Sequence, residues 1–144
     1  MDTAAGLTQL ERRVMEMLLA GDHPVLETLR RQFESAKVAK REYTGHGFFT
    51  HFEVPADVPR LPNNRSFELD DLYGASRDSQ WPWPEFGFIL FVRNGAIDFL
   101  EGYTYYDTFP EPGSVDYDQI TLGYDKQRAE RDWASVYEEL EGKP

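Results

Sequence analysis

FGFILFVRNGAIDFLEGYTYY, residues 86–106, consists of two apolar runs on either side of Asn94-Gly95. Asn-Gly between apolar runs is the strongest short signal for a two-residue type I′ turn, because both central residues of that turn need a positive φ. The stretch therefore predicts a β-hairpin with strands at 86–92 and 96–105. Residues 86–92 are apolar on both faces, which predicts a central position in the sheet.

The predicted register of this hairpin raises a question about Glu101. With a two-residue turn, Phe88 faces Glu101 and Gly87 faces Gly102 across the hairpin. Glu101 would then project from an apolar face. There its carboxylate must accept hydrogen bonds from donors, become protonated through a raised pKa, or lie where the face opens to solvent. The alternative is a bulge at Gly102 that turns the Glu101 side chain outward.

The remaining periodic patterns predict an α+β fold in one domain, residues 1–144. A capping box formed by Thr8 and Glu11 marks the first helix, and Asp22 and Asp125 are the expected caps of the second and the last. The architecture predicted is an N-terminal helix pair packed on an antiparallel, mostly meander β-sheet, with a C-terminal helix; a cystatin-like curled sheet is the nearest alternative by analogy. The predicted helices span 8–20, 24–36 and about 126–141, and the other strands 37–44, 48–54, 67–74 and a short segment near 119–124.

The charge of the chain is unevenly distributed. The net charge is −11, and residues 94–144 hold 12 acidic and 4 basic residues, whereas residues 1–44 hold 7 of each. Such a field repels the phosphates of nucleic acids and favours a basic protein partner. The alternative interpretation is that the acidic charge serves solubility alone.

Several classes of protein are excluded or disfavoured by composition. The chain has no cysteine, so disulfides, thiolate nucleophiles and cysteine-ligated zinc sites are excluded. The start MDTAAGLTQLERR lacks the basic segment and apolar core of a signal peptide, and no run approaches the ~18 apolar residues of a membrane span. The sequence therefore predicts a cytoplasmic protein without a membrane segment.

The sequence contains no signature of a catalytic, metal or cofactor site. No phosphate-binding loop, dinucleotide fingerprint or Gly-x-Ser-x-Gly motif occurs. His46 and His51 are five residues apart, which places them on opposite faces of a continuous strand, and His23 belongs to another region. We therefore expect no metal site and no cofactor.

Aromatic residues concentrate in the C-terminal half, where 12 of the 21 lie within residues 81–124. Rigid aromatic side chains lose little entropy on contact and dominate the energetics of protein interfaces. Packing in the core is the simpler explanation for some of them. The candidate binding residues are Glu101, Tyr103, Tyr105, Trp81, Trp83 and Asp107.

Two segments resemble a group of small bacterial proteins. GFFTHFEVPADVPRLP and GFILFVRNGAIDFLEGYTYYDTFP are similar to the shared pattern of that group, which has a GFFxxFxVP strand, an LFVxxG hairpin and an LEGYTY segment. The resemblance covers residues 45–110. It implies a common fold and a role for the segment 101–105, but it implies no reaction and no catalytic residue.

These observations favour a non-enzymatic protein-binding module, of the inhibitor or immunity type, that contacts a basic partner through its acidic, aromatic C-terminal half. The alternative is a small hydrolase or ligand-binding domain with a pocket around Glu101, Tyr103 and Tyr105. Glu101 with Asp98 or Asp107 would form a glycosidase-like pair of carboxylates, but such pairs arise by chance in a chain with 26 acidic residues. A closed pocket at Glu101 would favour the alternative, whereas an open acidic surface would favour protein binding.

Overall fold

A computed structural model of the chain describes residues 6–76, 85–105, 120–124 and 130–141. It has the α+β fold that the sequence predicts: two N-terminal helices, a six-stranded antiparallel sheet and a C-terminal helix. A short 3₁₀ turn at Pro62–Asn64 precedes the third strand. The elements in chain order are α1 (Gln9–Leu18), α2 (Pro24–Ser35), β1 (Lys37–Tyr43), β2 (Gly47–Glu53), β3 (Phe67–Ser76), β4 (Phe86–Arg93), β5 (Ala96–Thr104), β6 (Ile120–Gly123) and α3 (Trp133–Glu141).

The first helix begins as the sequence predicts, whereas the second begins with a different cap. Thr8 and Glu11 form the expected capping box, with reciprocal hydrogen bonds of 3.1 and 2.8 Å between side chain and backbone. The prediction that Asp22 caps α2 is wrong. The Nδ1 atom of His23 instead accepts the N–H of Val25 at 3.1 Å, because Pro24 occupies the first helical position.

The C-terminal helix is shorter than the predicted span of 126–141. Residues 130–132 are not helical, and α3 begins at Trp133. The carboxylate of Asp132 accepts the N–H of Ser135 at 3.2 Å, so Asp132 is the N-terminal cap. The expected cap, Asp125, lies outside the described residues.

The sheet has the strand order β1-β2-β5-β4-β3-β6, and all neighbouring strands are antiparallel. Strands β3, β4 and β5 form a meander, and the hairpin of β1 and β2 continues the sheet beyond β5. The prediction that residues 86–92 form a central strand is confirmed, because β4 lies between β5 and β3.

The turn between β4 and β5 is confirmed, but the predicted register is wrong beyond the first two residue pairs. Asn94 and Gly95 have φ angles of 53° and 80°, as a type I′ turn requires. Val92 faces Ile97 as expected, and the register then shifts by one residue. The shift leaves Asp98 as the extra residue of a β-bulge on β5.

This bulge reverses the face on which the following side chains lie. Phe88 faces Gly102 instead of Glu101, and Glu101 faces Ile89. Gly87 faces Tyr103, so the expected pair of facing glycines does not form. The alternative expectation, a bulge that turns Glu101 away from the core, is correct in its effect, but the bulge lies at Asp98 and not at Gly102.

One face of the sheet carries the hydrophobic core. Helices α1, α2 and α3 contact β3, β4 and β5, and their buried side chains form one cluster with those of the strands. Alternate strand residues point into this cluster, as the period of two requires. The strand side chains of this helix-covered face include Phe48, Phe52, Leu69, Leu72, Phe86, Phe88, Leu90, Val92, Ile97 and Leu100.

A buried amide fixes the central hairpin to the second helix. The Nε2 group of Gln32 donates hydrogen bonds of 2.9 and 3.0 Å to the carbonyls of Gly95 and Pro59. Its Oε1 atom accepts the N–H of Ile97 at 2.9 Å. The position of the β4–β5 turn, and hence of the strands that follow it, therefore depends on a side chain that is distant in sequence.

Candidate binding surface

The second face of the sheet is part-exposed and carries aromatic and acidic side chains. It consists of the strand residues that alternate with the core residues, and the bulge at Asp98 brings Phe99, Glu101 and Tyr103 onto it. We call this surface the open face. Its side chains are Phe49 and His51 from β2, Ile89, Phe91 and Arg93 from β4, Phe99, Glu101 and Tyr103 from β5, and Glu68, Asp70 and Tyr73 from β3.

Phe99 lies at the centre of an aromatic cluster on the open face. Its ring stacks on Phe91 with the centroids 4.3 Å apart, and it meets the edge of Phe49 at 6.0 Å. The imidazole of His51 lies 5.4 Å from the same ring, and the guanidinium of Arg93 lies 5.4 Å from its centroid. Such stacked and edge contacts fix the orientation of rings that stay partly in solvent.

Glu101 lies between apolar neighbours on this face. It is directly opposite Ile89 on β4 and Phe49 on β2. Burial raises the pKa of Glu101, and the negative charge of Glu68 raises that pKa further. No cation forms an ion pair with Glu101 among the residues that the structure describes. Its carboxyl group can therefore hold a proton more readily than an ordinary glutamate, or attract a cation supplied by another molecule.

Tyr103 and Tyr105 form the end of the open face beyond Glu101. Their hydroxyl groups are 3.2 Å apart, and the ring of Tyr103 lies over Gly87, where any larger residue would collide with it. Burial and the hydrogen bond with Tyr105 raise the pKa of the Tyr103 hydroxyl. The hydroxyl therefore stays protonated and is available as a donor or an acceptor.

The structure places three of the six predicted site residues on one continuous surface. Glu101 and Tyr103 alternate along β5, and Tyr105 follows directly after its end. The remaining candidates, Trp81, Trp83 and Asp107, lie outside the described residues. Phe49 and Phe91 also belong to this surface, but the sequence does not predict this, because their contribution depends on which strands are neighbours.

The three histidines have local partners or lie in a turn. His23 caps α2 and contacts Glu141 at 3.0 Å, and His51 contacts Glu42 at 2.8 Å. His46 is exposed in the turn between β1 and β2. Within residues 6–76, 85–105, 120–124 and 130–141, no group of three histidines or carboxylates could hold a metal ion.

A second feature, which the sequence does not predict, is an acidic groove between β3 and α3. Leu69 and Val136 form its apolar floor. The acidic residues of this groove are visible in the sequence, as FELDD in β3 and EE in the last helix. No local pattern, however, indicates that these two segments lie side by side. Its other lining residues are Glu68, Asp70, Asp71, Ser135, Glu138 and Glu139.

Comparisons with models of protein families, with curated proteins and with solved structures find no match for this chain. The resemblance to a group of small bacterial proteins therefore stays a prediction. Among the described helices, the longest is α2 with 12 residues, and none has the length and hydropathy needed to cross a membrane.

Proposed function

We propose that the chain is a non-enzymatic protein-binding module, of the inhibitor or immunity type, that contacts its partner through the open face. The observation that carries this proposal is the cluster around Phe99, whose stacked rings stay partly exposed on the face opposite the helices. Aromatic side chains held in fixed orientations are the usual anchors of protein interfaces, because little conformational entropy is lost when they are covered.

The charge of the open face supports a basic partner. Glu101, Glu68 and Asp70 add carboxylates to the aromatic cluster, and the whole chain has a net charge of −11. Glu101 is partly desolvated and forms no ion pair with a described lysine or arginine, so a lysine or arginine of the partner would stabilise its charged form. Binding should therefore release a proton from Glu101 at pH values near its raised pKa.

The alternative is a small hydrolase or ligand-binding domain that uses Glu101. The raised pKa of Glu101 suits acid–base chemistry. However, Glu101 lies on the surface of a sheet, and the groove beside α3 is lined by other residues. The geometry around Glu101 therefore favours contact with a macromolecular surface over an enclosed reaction.

The test uses a photocrosslinking amino acid at position 99, with the same amino acid at position 43 as the matched control. Tyr43 is also an exposed aromatic residue, but it lies on β1 at the edge of the sheet. We expect a basic protein to be crosslinked from position 99 and not from position 43. The captured protein is then purified, and its affinity for the wild type, Phe99→Ser and Tyr43→Ser is measured.

Phe99→Ser should weaken the purified complex by tenfold or more, which is about 1.4 kcal/mol, and Tyr43→Ser should leave it unchanged. The association rate should fall steeply between 0.01 and 0.15 M salt, because the Debye length shrinks from about 30 to about 8 Å. An affinity that is indifferent to Phe99→Ser, or an association rate that is indifferent to salt, would contradict the proposal.

A further inference from the structure

The first half of β3 borders the acidic groove and has no described strand on the side away from β4. β6 pairs only with Tyr73–Ser76, and Phe67–Leu69 pair with β4 alone among the described strands. On the side away from β4, the backbone N–H and C=O groups of Phe67–Leu69 therefore have no strand partner in the described parts of the chain. A free strand edge is a template to which another extended chain can add.

The groove beside this edge is smaller than a typical small-molecule pocket. It encloses about 260 Å³ between β3 and α3, which is below the roughly 300–1,000 Å³ typical of small-molecule pockets. One wall is the strand edge, and the other is formed by Ser135 and Glu139 of α3. Recognition of an extended peptide along a sheet edge is a recurring binding mode, in which the backbone supplies affinity and side-chain subsites supply specificity.

Two arginines hold α3 beside β3, so the groove exists without a ligand. Arg131, just before α3, forms a bidentate ion pair with Asp71, in which Nε donates to Oδ2 at 2.6 Å and Nη2 donates to Oδ1 at 2.9 Å. Near the other end of α3, Arg65 donates hydrogen bonds to the carbonyls of Leu140 and Glu139. A groove whose walls are already fixed loses less free energy on binding than one that must first form.

The charge of the groove selects the kind of segment that fits. Asp71 is neutralised by Arg131, whereas Glu68, Asp70 and Glu139 form no ion pair with a described lysine or arginine. These carboxylates repel a second copy of the same acidic edge and so disfavour self-pairing. They attract a segment that carries lysine or arginine, whose apolar stems suit the floor of Leu69 and Val136.

We propose that this groove binds an extended, lysine- or arginine-containing segment of a partner protein as an added strand along β3. The regular ladder is short, because the register of β3 with β4 shifts between Leu69 and Leu72. Side-chain charges therefore contribute much of the affinity. The proposal does not rest on the function proposed for the open face, although Glu68 and Asp70 belong to both surfaces.

The test uses a fluorescent capped peptide of about six residues, the usual length of a strand, in which lysine and valine alternate. The control peptide has glutamate in place of lysine. Two further peptides are N-methylated, one at every lysine and the other at every valine. Successive N–H groups of a strand point to opposite edges, so only one of the two methylated peptides loses the hydrogen bonds that face β3.

We expect the lysine peptide to bind and the glutamate peptide not to bind. One methylated peptide should bind tenfold or more weakly than the unmodified peptide, and the other should bind almost as well. Hydrogen exchange of the bound protein should show new protection at residues 67–69. No binding by the lysine peptide, or equal affinities of the two methylated peptides, would overturn the proposal.

Variants of the full chain locate the site and separate it from the open face. The double change Glu68→Gln and Glu139→Gln removes one carboxylate from each wall and should weaken peptide binding about tenfold. Glu34→Gln, on the exposed side of α2, is the matched control and should have no effect. Phe99→Ser should leave peptide affinity unchanged, so this test can succeed or fail independently of the first. Equal affinities of the double variant and of Glu34→Gln would also overturn the proposal.

Discussion

The two faces of the same sheet satisfy their charged groups in opposite ways. On the helix-covered face, Glu11 is fully buried, yet it receives hydrogen bonds from Arg41, Thr50 and the backbone of Thr8. On the open face, Glu101 has apolar neighbours and the negative charge of Glu68, and no cation among the described residues pairs with it. The carboxylate of Glu11 finds all its partners within the chain, whereas the carboxylate of Glu101 can gain stabilisation from another molecule.

The pKa values of the two glutamates express this difference. Burial alone raises the pKa of Glu11, but the hydrogen bonds from Arg41, Thr50 and Thr8 and the charge of Arg41 outweigh burial and lower it. Burial and a like charge both raise the pKa of Glu101. The pKa values of Glu11, on α1, and Glu101, on β5, therefore differ because of the partners of each carboxylate and not because of depth alone. Under the proposed function, the helix-covered face supplies stability and the open face supplies binding.

The largest expected effect comes from breaking the buried pair. Arg41→Ala should lower the free energy of unfolding by about 3 kcal/mol, because it leaves the fully buried Glu11 without its guanidinium. Arg31→Ala removes an exposed pair with Glu27 and should cost about 0.5 kcal/mol or less. Urea denaturation of both variants makes the comparison, and equal costs would contradict the distinction.

The pH dependence of stability sharpens the same prediction. Because the pKa of Glu11 is lowered in the folded state, its stabilising contribution is present above the ordinary value of 4.5. That contribution is lost as the pH falls through the lowered value, where the folded carboxylate becomes protonated. In Arg41→Ala this acid-labile contribution should be absent or much smaller.

A pair of glycines provides the second test, with one glycine on each face. Gly102→Ala would collide with the ring of Phe48, which is fully buried, and should cost about 1–3 kcal/mol through overpacking. Gly87→Ala would collide with the ring of Tyr103, which is partly exposed and can swing into solvent, so the cost should stay below about 1 kcal/mol. Thermal unfolding compares the two, and equal costs would show that the open face is packed as rigidly as the core.

The smallest effect on stability is expected for Glu101→Gln. Above the ordinary value of 4.5, wild-type stability should decrease as the pH rises through the raised pKa of Glu101, because the folded state holds this proton more tightly. At neutral pH the variant should therefore be as stable as the wild type, or more stable by up to about 0.5 kcal/mol. Urea denaturation across the pH range measures this difference.

Titration of the Glu101 carboxyl by NMR makes the same prediction specific. In Glu68→Gln the pKa of Glu101 should move down toward the ordinary value, because the charge of Glu68 is one of the two causes that raise it. Glu34→Gln removes a carboxylate on the exposed side of α2 and should leave the titration unchanged. An ordinary pKa of Glu101 in the wild type would show a fully solvated side chain and contradict the description of the open face.

Much of the fold could be predicted from the sequence because it depends on local rules. The Asn94-Gly95 turn needs two positive φ angles, the capping box at Thr8 satisfies the first free N–H groups of α1, and the apolar pattern of residues 86–92 requires a central strand. The strand near residue 120 and the helix that ends at Glu141 were identified for similar reasons. The caps of α2 and α3 were misassigned by one residue or more, because several polar residues compete at each helix start.

The candidate site was only partly predictable. Glu101 and Tyr103 were identified from an unexpected carboxylate and an aromatic repeat, both visible in one strand. Their neighbour Phe49 comes from β2, which is far away in sequence and lies beside β5 only in the folded sheet. The groove likewise combines β3 with α3, and no local pattern indicates that these two elements meet.

By itself, the sequence determined the elements, the central hairpin and its turn, because each depends on residues within a few positions of one another. Only the tertiary structure decided the side on which Glu101 lies. A regular ladder would have placed Glu101 opposite Phe88, on the helix-covered face, where an unpaired carboxylate costs several kcal/mol. The bulge at Asp98 instead lets Gly102 pack under Phe48 and turns Glu101 outward. The choice between these registers depends on the packing of β2 and the helices against the hairpin, and that information is not contained in the hairpin sequence alone.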